Sequence, residues 1–222
     1  MAKLSFIALV ITSLLPGGPA AHATPFCAKG HLDKTTIDNG ILNPVNARRE
    51  KLAQGTQKNG DSGTNLPPAT NMPKLAWSCE LEKDALNAIS DKCADPANPV
   101  PPANGAGRAN IFLTQYQGKD ISSPGEVFND FLNNYLIQID MNRLEVRRHG
   151  TVTSNPVYSG DDLLLGYADL VRATNTEIGC AMNMCSGPDG EPVITFYCLL
   201  NGKTIKENEE IYQGTTVNEG EE

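Results

Sequence analysis

This chain of 222 residues contains six cysteines, whose thiol groups are its most reactive side chains. Thiolates either pair as disulfides or bind zinc. The spacings contain no Cys-x-x-Cys, and beyond residue 23 only His31 and His149 could add imidazole ligands. An even count without metal-site spacing indicates disulfides, while the sequence alone leaves their pairing open. The six are Cys27, Cys79, Cys93, Cys180, Cys185 and Cys198.

Other reactive constellations have no local support in the sequence. No serine lies in a Gly-x-Ser-x-Gly elbow, which hydrolases use to expose a nucleophile. No glycine-rich motif of the kind that cradles phosphate occurs. The sequence therefore predicts no catalytic residue, no metal and no cofactor.

Residues 1–23 have the pattern of a cleaved secretory signal peptide, with Lys3, an apolar run over 4–15 and the small-residue site Ala21-His22-Ala23. The run is well short of the roughly 20 apolar residues that span a bilayer. The chain carries a net charge of −8, which argues against nucleic acid and anionic membranes as partners. We expect a soluble extracellular protein without stable membrane insertion.

Four segments have helical patterns. A helix is predicted over 43–53, because an Asn-Pro pair supplies a cap and a first-turn proline. Apolar residues at helical spacing predict a second helix over 75–93. Ser123 and Glu126 form a capping box that starts a third helix with a broad apolar face, and a fourth is expected over 162–173.

Strands are expected at three places, over 111–113, 176–183 and 192–200. Two long stretches rich in Gly, Pro and Asn, over 54–71 and 95–107, predict loops. Interleaved helices and strands with long loops and disulfides favour an α+β fold, specifically a three-layer α-β-α sandwich.

The predicted domain organisation follows from these segments. After the signal peptide we expect an N-terminal extension over 24–34, one domain over 35–202 and an acidic C-terminal tail over 203–222. The tail ends in Glu-Gly-Glu-Glu, and its composition predicts mobility.

The stretch over 166–181 resembles the "HYTQxVWxxTxxIGCG" signature of the CAP superfamily, which groups cysteine-rich secretory proteins, insect antigen 5 and plant pathogenesis-related proteins. In that register the signature His falls on Gly166, Gln on Asp169 and Trp on Arg172. A scaffold retained without its reactive groups favours binding over catalysis. The matching positions are Ile178, Gly179 and Cys180.

The resemblance extends over nearly the whole chain. Residues 41–49 are similar to the first-helix "hNxxR" segment, 72–82 to "MxxLxWxxxLE", and 110–112 to the end of "GENIF". Residues 196–202 weakly resemble the "VCxYxPxGN" motif that closes the family domain. This set of motifs most resembles that of nematode activation-associated secreted proteins, also called venom allergen-like proteins. The resemblance implies the disulfides Cys180–Cys198 and Cys93–Cys185, which leaves Cys27–Cys79.

The family cleft usually carries two His and two acids that can hold a divalent metal such as zinc. Carried over by position, these four groups fall on Val45, Ala109, Asp130 and Gly166. Only Asp130 retains a side chain that can bind a metal. A catalytic metal needs roughly three protein ligands and an open position. We therefore expect no metal-dependent hydrolase, and Asp130 is interpreted as a solvated helix residue.

Two binding features are candidates. Asn59, Gly60 and Asp61 lie in the long polar loop, where the carboxylate could meet an integrin's divalent cation or the tripeptide could simply form a turn. The resemblance also implies lipid binding in a channel between two long helices, although an apolar helical stripe is by default a core face. Residues that could line it are Phe128, Phe131, Tyr135 and Leu136. The expected partner is a host protein or cell-surface receptor, with a sterol or fatty acid as the alternative ligand.

Overall fold

The structure, a computed structural model, describes residues 24–89, 94–104, 107–116, 123–149, 153–186 and 190–215. The signal-peptide prediction lies outside these residues. The α-helices are α1 (Lys34–Thr36), α2 (Asn43–Ala53), α3 (Cys79–Ile89), α4 (Pro124–Leu136), α5 (Gln138–Met141) and α6 (Asp162–Val171), and a π-helical segment (Ile37–Leu42) joins α1 to α2. The strands are β1 (Ala76–Trp77), β2 (Arg108–Tyr116), β3 (Glu145–His149), β4 (Thr153–Val157), β5 (Glu177–Ser186) and β6 (Pro192–Lys203).

A four-stranded sheet in the order β1-β5-β6-β2 forms the middle layer. All its pairings are antiparallel except that of β1 with β5. Strand β6 lies between two neighbours and is buried on both faces from Val193 to Leu200. Alternate β6 residues face the two cores, because strand side chains point to opposite faces with a period of two.

Helices cover both faces of this sheet. Residues of α2, α4 and α6 pack in the large core cluster with Phe196 and Cys198 of β6. On the other face α3 buries Leu81, Ala85 and Ile89, which are spaced by four residues and therefore share one side of the helix. This arrangement is the predicted three-layer α-β-α sandwich.

The first helical region begins at Lys34, nine residues before the start of the predicted helix at Asn43. Asp33 caps it, accepting a hydrogen bond from the Thr36 backbone N–H at 3.0 Å. The expected cap, Asn43, instead donates its backbone N–H to the Asp38 carbonyl within the π-helical turn. Pro44 lacks an N–H and its ring crowds the preceding turn, so a wider π turn before it lets the chain continue as a helix.

The second predicted helix, by contrast, begins later than the sequence predicts. Ala76–Trp77 forms the short strand β1, which pairs in parallel with Glu177 and Ile178 of β5, and α3 begins only at Cys79. A helical apolar spacing that includes Trp77 was misleading, because pairing with the sheet edge overrides local pattern. The third helix begins at the predicted capping box, with Ser123 and Glu126 bonding each other's backbone N–H.

The segment after β6 is packed, so the prediction of a mobile tail does not hold for residues 203–215. Ile205, Ile211 and Tyr212 are buried in the large core. The Tyr212 hydroxyl donates to the Pro67 carbonyl at 2.9 Å. Acidic composition misled the prediction, because three apolar side chains among the acids suffice to anchor the strand end. Residues 216–222 lie outside the described residues.

Strands β3 and β4 form a two-stranded hairpin that the sequence pattern does not predict. Its residues are mostly polar and include Pro156, which is atypical of a strand. The Pro156 carbonyl accepts from the Ile211 N–H at 2.9 Å, so the packed C-terminal segment supports the hairpin.

Two disulfides have both cysteines in the described residues, and both pairings are those that the family resemblance implied. Cys27–Cys79 ties the N-terminal segment to the start of α3, with 5.6 Å between the Cα atoms. Cys180–Cys198 links directly opposed residues of β5 and β6. Cys185 is disulfide-bonded as well, and its predicted partner Cys93 lies outside the described residues.

The crossing of the π-helical segment with α4 gives a test of this packing. A Cβ added to Gly40 would lie 2.7 Å from the Gly125 carbonyl oxygen, whereas a Cβ added to Gly125 would meet its nearest neighbour, the Thr36 Cα, at 3.7 Å. We expect Gly40→Ala to lower the free energy of unfolding by about 2 kcal/mol through overpacking. Gly125→Ala should raise it by about 0.5 kcal/mol through helix propensity. Urea unfolding measures both, and equal effects of the two substitutions would contradict this close crossing.

Candidate functional site

The position of the signature histidine, Gly166, is filled by an aromatic ring from another helix. Gly166 is buried in α6, and a Cβ there would overlap the ring of Tyr135. The Tyr135 hydroxyl donates to the Phe112 carbonyl of β2 at 2.6 Å. The glycine therefore leaves room for a side chain that spans from α4 to the sheet, and no imidazole could occupy the same space.

The position of the signature glutamine, Asp169, holds the segment that follows β6. Its carboxylate is 1% exposed and accepts the Ile205 backbone N–H at 2.9 Å. Burial raises the pKa of Asp169 to about 7, although the bond from Ile205 and the charge of Arg172 oppose that shift. This carboxyl group therefore holds the segment after β6 in place and binds a proton below a pH of about 7.

The position of the signature tryptophan, Arg172, binds the same segment. Its guanidinium forms an ion pair with Glu209 at 3.0 Å and donates to the Lys203 carbonyl at 3.3 Å. Glu209 in turn accepts the Lys206 N–H at 3.0 Å. Asp169 and Arg172 thus hold residues 203–209 in place, so two of the altered signature positions have gained structural partners.

The four cleft positions do not form a metal site. Val45 and Ala109 are fully buried in the large core, Gly166 is buried in α6, and Asp130 is exposed on α4. Among the described residues, the one cluster of three ligand-type side chains is Cys27, Cys79 and Glu82. Its two sulfurs form a disulfide and cannot serve as thiolate ligands.

Glu82 has a structural role instead. Its carboxylate is 1% exposed and accepts the His31 backbone N–H at 2.9 Å and the Trp77 indole N–H at 3.0 Å. The same side chain therefore holds both the N-terminal segment and β1 against α3. Together with the Leu32 backbone N–H at 3.4 Å, these donors satisfy the buried carboxyl group without a metal.

Arg49 is a charged residue buried in the core, with only 1% of its surface exposed. Its guanidinium is fixed by four backbone carbonyls, and no carboxylate lies in hydrogen-bond range among the described residues. Burial lowers the pKa of Arg49 to about 10, so the group is still charged at neutral pH. The four acceptors are the carbonyls of Pro73, Leu170, Arg172 and Asn175, at 2.8, 3.2, 2.5 and 2.6 Å.

The predicted binding tripeptide divides into two buried or constrained residues and one open one. The Asn59 side chain is 5% exposed and bonds both backbone groups of Leu144, at 2.8 and 3.0 Å. Gly60 has a φ of +54° and donates its N–H to the Ile139 carbonyl at 2.9 Å. Asp61 is exposed. Asn59 and Gly60 therefore build the turn, and Asp61 is the member open to a partner.

The predicted lipid channel is filled by the residues that were expected to line it. Phe128 and Phe131 are buried, and both rings pack on Phe196 of β6, with centroids 5.2 and 4.8 Å apart. Tyr135 packs edge-on against Phe131 and fills the space at Gly166. Leu136 is buried too and borders a groove between α2 and α4. These four residues thus belong to the core of the described structure.

This fold and site define a disulfide-linked α-β-α sandwich whose cleft positions carry packing residues in place of metal ligands. The profile of the CAP family, described as the cysteine-rich secretory protein family, matches residues 42–200. The chain belongs to this family of secretory proteins. In the described residues no helix has both the length and the apolar character needed to cross a membrane.

Two curated proteins are similar to this chain over about two thirds of its length. Venom allergen 3 of Solenopsis invicta is 30% identical over 157 residues, which cover 68% of this chain and 61% of that protein. Venom allergen 5 of Brachyponera chinensis is 28% identical over 152 residues, which cover 68% and 69% respectively. The chain thus spans only about three fifths of the first relative.

Solved structures support the same fold. Na-ASP-1 superposes with a TM-score of 0.65 at 20% identity, covering 86% of this chain and 42% of that one. NaASP2, solved with Zn²⁺, gives a TM-score of 0.63 at 18% identity, covering 85% and 90%. BmVAL-1 gives 0.60 at 18% identity, covering 84% and 85%. At these identities the likeness concerns the fold alone.

Asp169 predicts a pH dependence of stability. The folded state retains its proton up to a pH of about 7, while the unfolded chain releases it near the ordinary value of 3.8. Protonation therefore favours the folded state, and this contribution is lost as pH rises from about 4 to about 7, at up to about 1.4 kcal/mol per unit. Asp169→Asn should remove that slope from urea unfolding curves, while Asp130→Asn, on an exposed carboxylate, should leave it. Parallel slopes in both variants would contradict the assignment.

The buried contacts of Arg49 predict that its replacement by lysine destabilises the fold more than the same replacement at the neighbouring Arg48. Lysine has no planar fork, so Arg49→Lys leaves buried carbonyls without donors and should lower the free energy of unfolding by about 3 kcal/mol. Arg48→Lys is the matched control, because Arg48 forms a partly exposed ion pair with Asp140 at 2.9 Å and should lose less than about 1 kcal/mol. Urea unfolding at pH 7 measures both, and comparable losses would count against the role of Arg49.

Proposed function

We propose that this protein is a secreted, non-enzymatic binding protein that engages a host protein or cell-surface receptor and modulates haemostasis or immunity. Membership of a family of secretory proteins supports the extracellular part of the proposal. The packing at Val45, Ala109 and Gly166 supports the non-enzymatic part, because these positions offer neither metal ligands nor a general base.

The observation that carries the proposal is the exposed Asp61 carboxylate on a fixed turn. The loop is closed at its base by the bridge between Lys58 and Asn65. Within it the Asn59 N–H donates to the Thr64 carbonyl at 3.0 Å, and the Ser62 N–H donates to the Asn59 carbonyl at 3.1 Å. A loop already held in one conformation loses little entropy on binding, which favours affinity.

The turn is also anchored to the body of the protein. The Asn59 amide bonds Leu144, the residue before β3, and the Gly60 N–H donates to the Ile139 carbonyl of α5. A Cβ at Gly60 would lie 2.7 Å from the Asn142 carbonyl, so the glycine is needed for this approach. The carboxylate of Asp61 is consequently presented at a defined position on a rigid support.

The chemistry of an exposed carboxylate suggests the class of receptor. Hard divalent cations prefer carboxylate oxygens, and an integrin holds such a cation with a coordination position open to its ligand. Within the described residues the Asp61 side chain makes no hydrogen bond or ion pair, so its oxygens are free to coordinate. We therefore propose an integrin-type receptor as the partner of this loop.

Adhesion assays test the proposal. The purified protein should inhibit adhesion of platelets or neutrophils to fibrinogen or collagen, and Asp61→Asn should weaken the inhibition at least about tenfold, since a residue at the centre of a contact commonly dominates affinity. Asp61→Asn keeps the size of the side chain and removes the charge. Asp130→Asn is the matched control, because it removes an exposed carboxylate on α4 and should leave inhibition unchanged.

The outcomes separate the parts of the proposal. Inhibition that survives Asp61→Asn would move the contact away from this loop. Absence of inhibition by the unaltered protein on both cell types would contradict the receptor proposal itself. Loss of inhibition in both aspartate variants would indicate a general effect of charge.

A further inference from the structure

A polar groove runs between the first helical region and α4, on a part of the surface that the proposed receptor loop does not include. Its volume is about 450 Å³, which is within the range of small-molecule sites. Residues from both helical regions line it, and asparagine is the most frequent residue type among them. This composition differs from the apolar channel that the family resemblance implied.

Four asparagines form the walls in two pairs, each at a spacing of four residues. Asn39 and Asn43 lie on the first helical region, and Asn129 and Asn133 lie on α4. Residues four apart stand above one another on a helix, so each pair makes a short ladder of amides. The two ladders line the same groove from opposite sides.

These amides retain much of their hydrogen-bonding capacity. The Asn43 amide donates to the Asn39 side-chain oxygen at 3.2 Å, and Asn129 donates to the Asn39 backbone carbonyl at 3.5 Å. Within the described part of the chain the Asn133 side chain has no hydrogen bond. Each amide has both donors and an acceptor, so the walls match a ligand that carries several hydroxyl groups.

The floor and one end of the groove add two further properties. Pro44, Ala47 and Leu136 line the groove with apolar groups, which suit the C–H face of a sugar ring. Arg48 and Lys51 lie at its cationic end. Arg48 is paired with Asp140 at 2.9 Å, whereas Lys51 is exposed and makes no ion pair in the described ranges.

We propose that this groove binds a saccharide that carries a single carboxylate, with hydroxyls on the asparagine walls and the acid group near the Lys51 ammonium. One unpaired cation matches one anionic group. The net charge of −8 disfavours polyanions such as highly sulfated chains, because the whole protein repels them. A neutral saccharide would satisfy the amides and leave the lysine without a partner.

Saturation-transfer NMR with two probes tests the inference. At millimolar concentration 3′-sialyllactose should give a clear signal and a measurable Kd, and lactose, which lacks the acid sugar, should bind at least about fivefold more weakly. Asn133→Ala should weaken 3′-sialyllactose binding about five- to tenfold through loss of hydrogen bonds. Lys51→Ala should abolish the difference between the two probes.

Matched controls come from the same helix and from another face. Asn134→Ala removes the neighbouring exposed amide of α4, which does not line the groove, and Lys83→Ala removes an exposed cation of α3. Both should leave binding unchanged. Because all four side chains are exposed, the fold should survive each substitution, and a one-dimensional proton spectrum checks this.

Three results would overturn the inference. They are absence of binding of 3′-sialyllactose, equal binding of lactose, and equal effects of Asn133→Ala and Asn134→Ala. The adhesion assay with Asp61→Asn is independent of all three, so failure of one proposal is distinguishable from failure of the other.

Discussion

The buried guanidinium of Arg49 is the interaction on which the rest of the structure depends. It gathers carbonyls from the loop before β1, from the end of α6 and from the turn into β5. These three turns thereby obtain a common donor, and the helix that carries Arg49 is fixed against all of them. Asn46, one turn earlier on the same helix, bonds both backbone groups of Leu75 and reinforces the first of these turns.

The altered signature positions lie directly around this hub. Arg172 offers its carbonyl to Arg49 and its side chain to Glu209, while Asp169 offers its carboxylate to Ile205. The segment after β6 is therefore secured by groups at positions where the family signature has Gln and Trp. Loss of the signature His at Gly166 likewise admits Tyr135. At these positions contacts within the chain stand in place of the signature side chains and stabilise the family scaffold.

The same rigidity explains where binding surfaces occur. Aromatic side chains of α4 turn inward and fill the core, so the surface between α4 and the first helical region is left to amides and two cations. Likewise Asn59 and Gly60 form the bonds that hold the turn, and of the three residues only Asp61 is exposed. Both candidate surfaces thus carry polar groups, and the Asp61 turn is in addition held by the buried Asn59 side chain, in keeping with the proposed binding role.

The sequence by itself determined the features that depend on near neighbours: the capping box of α4, the apolar faces of α3 and α4, the central strands, the family signature and the cysteine pairs that it implies. It could not determine the partners of Asp169, Arg172 and Asn59, which lie 36, 37 and 85 residues away. Nor could it show that the segment after Asn201 is packed. Local patterns reflect bonds within a turn or a strand, whereas a buried polar group takes whichever partner the tertiary fold leaves unsatisfied, and only the structure decides which that is.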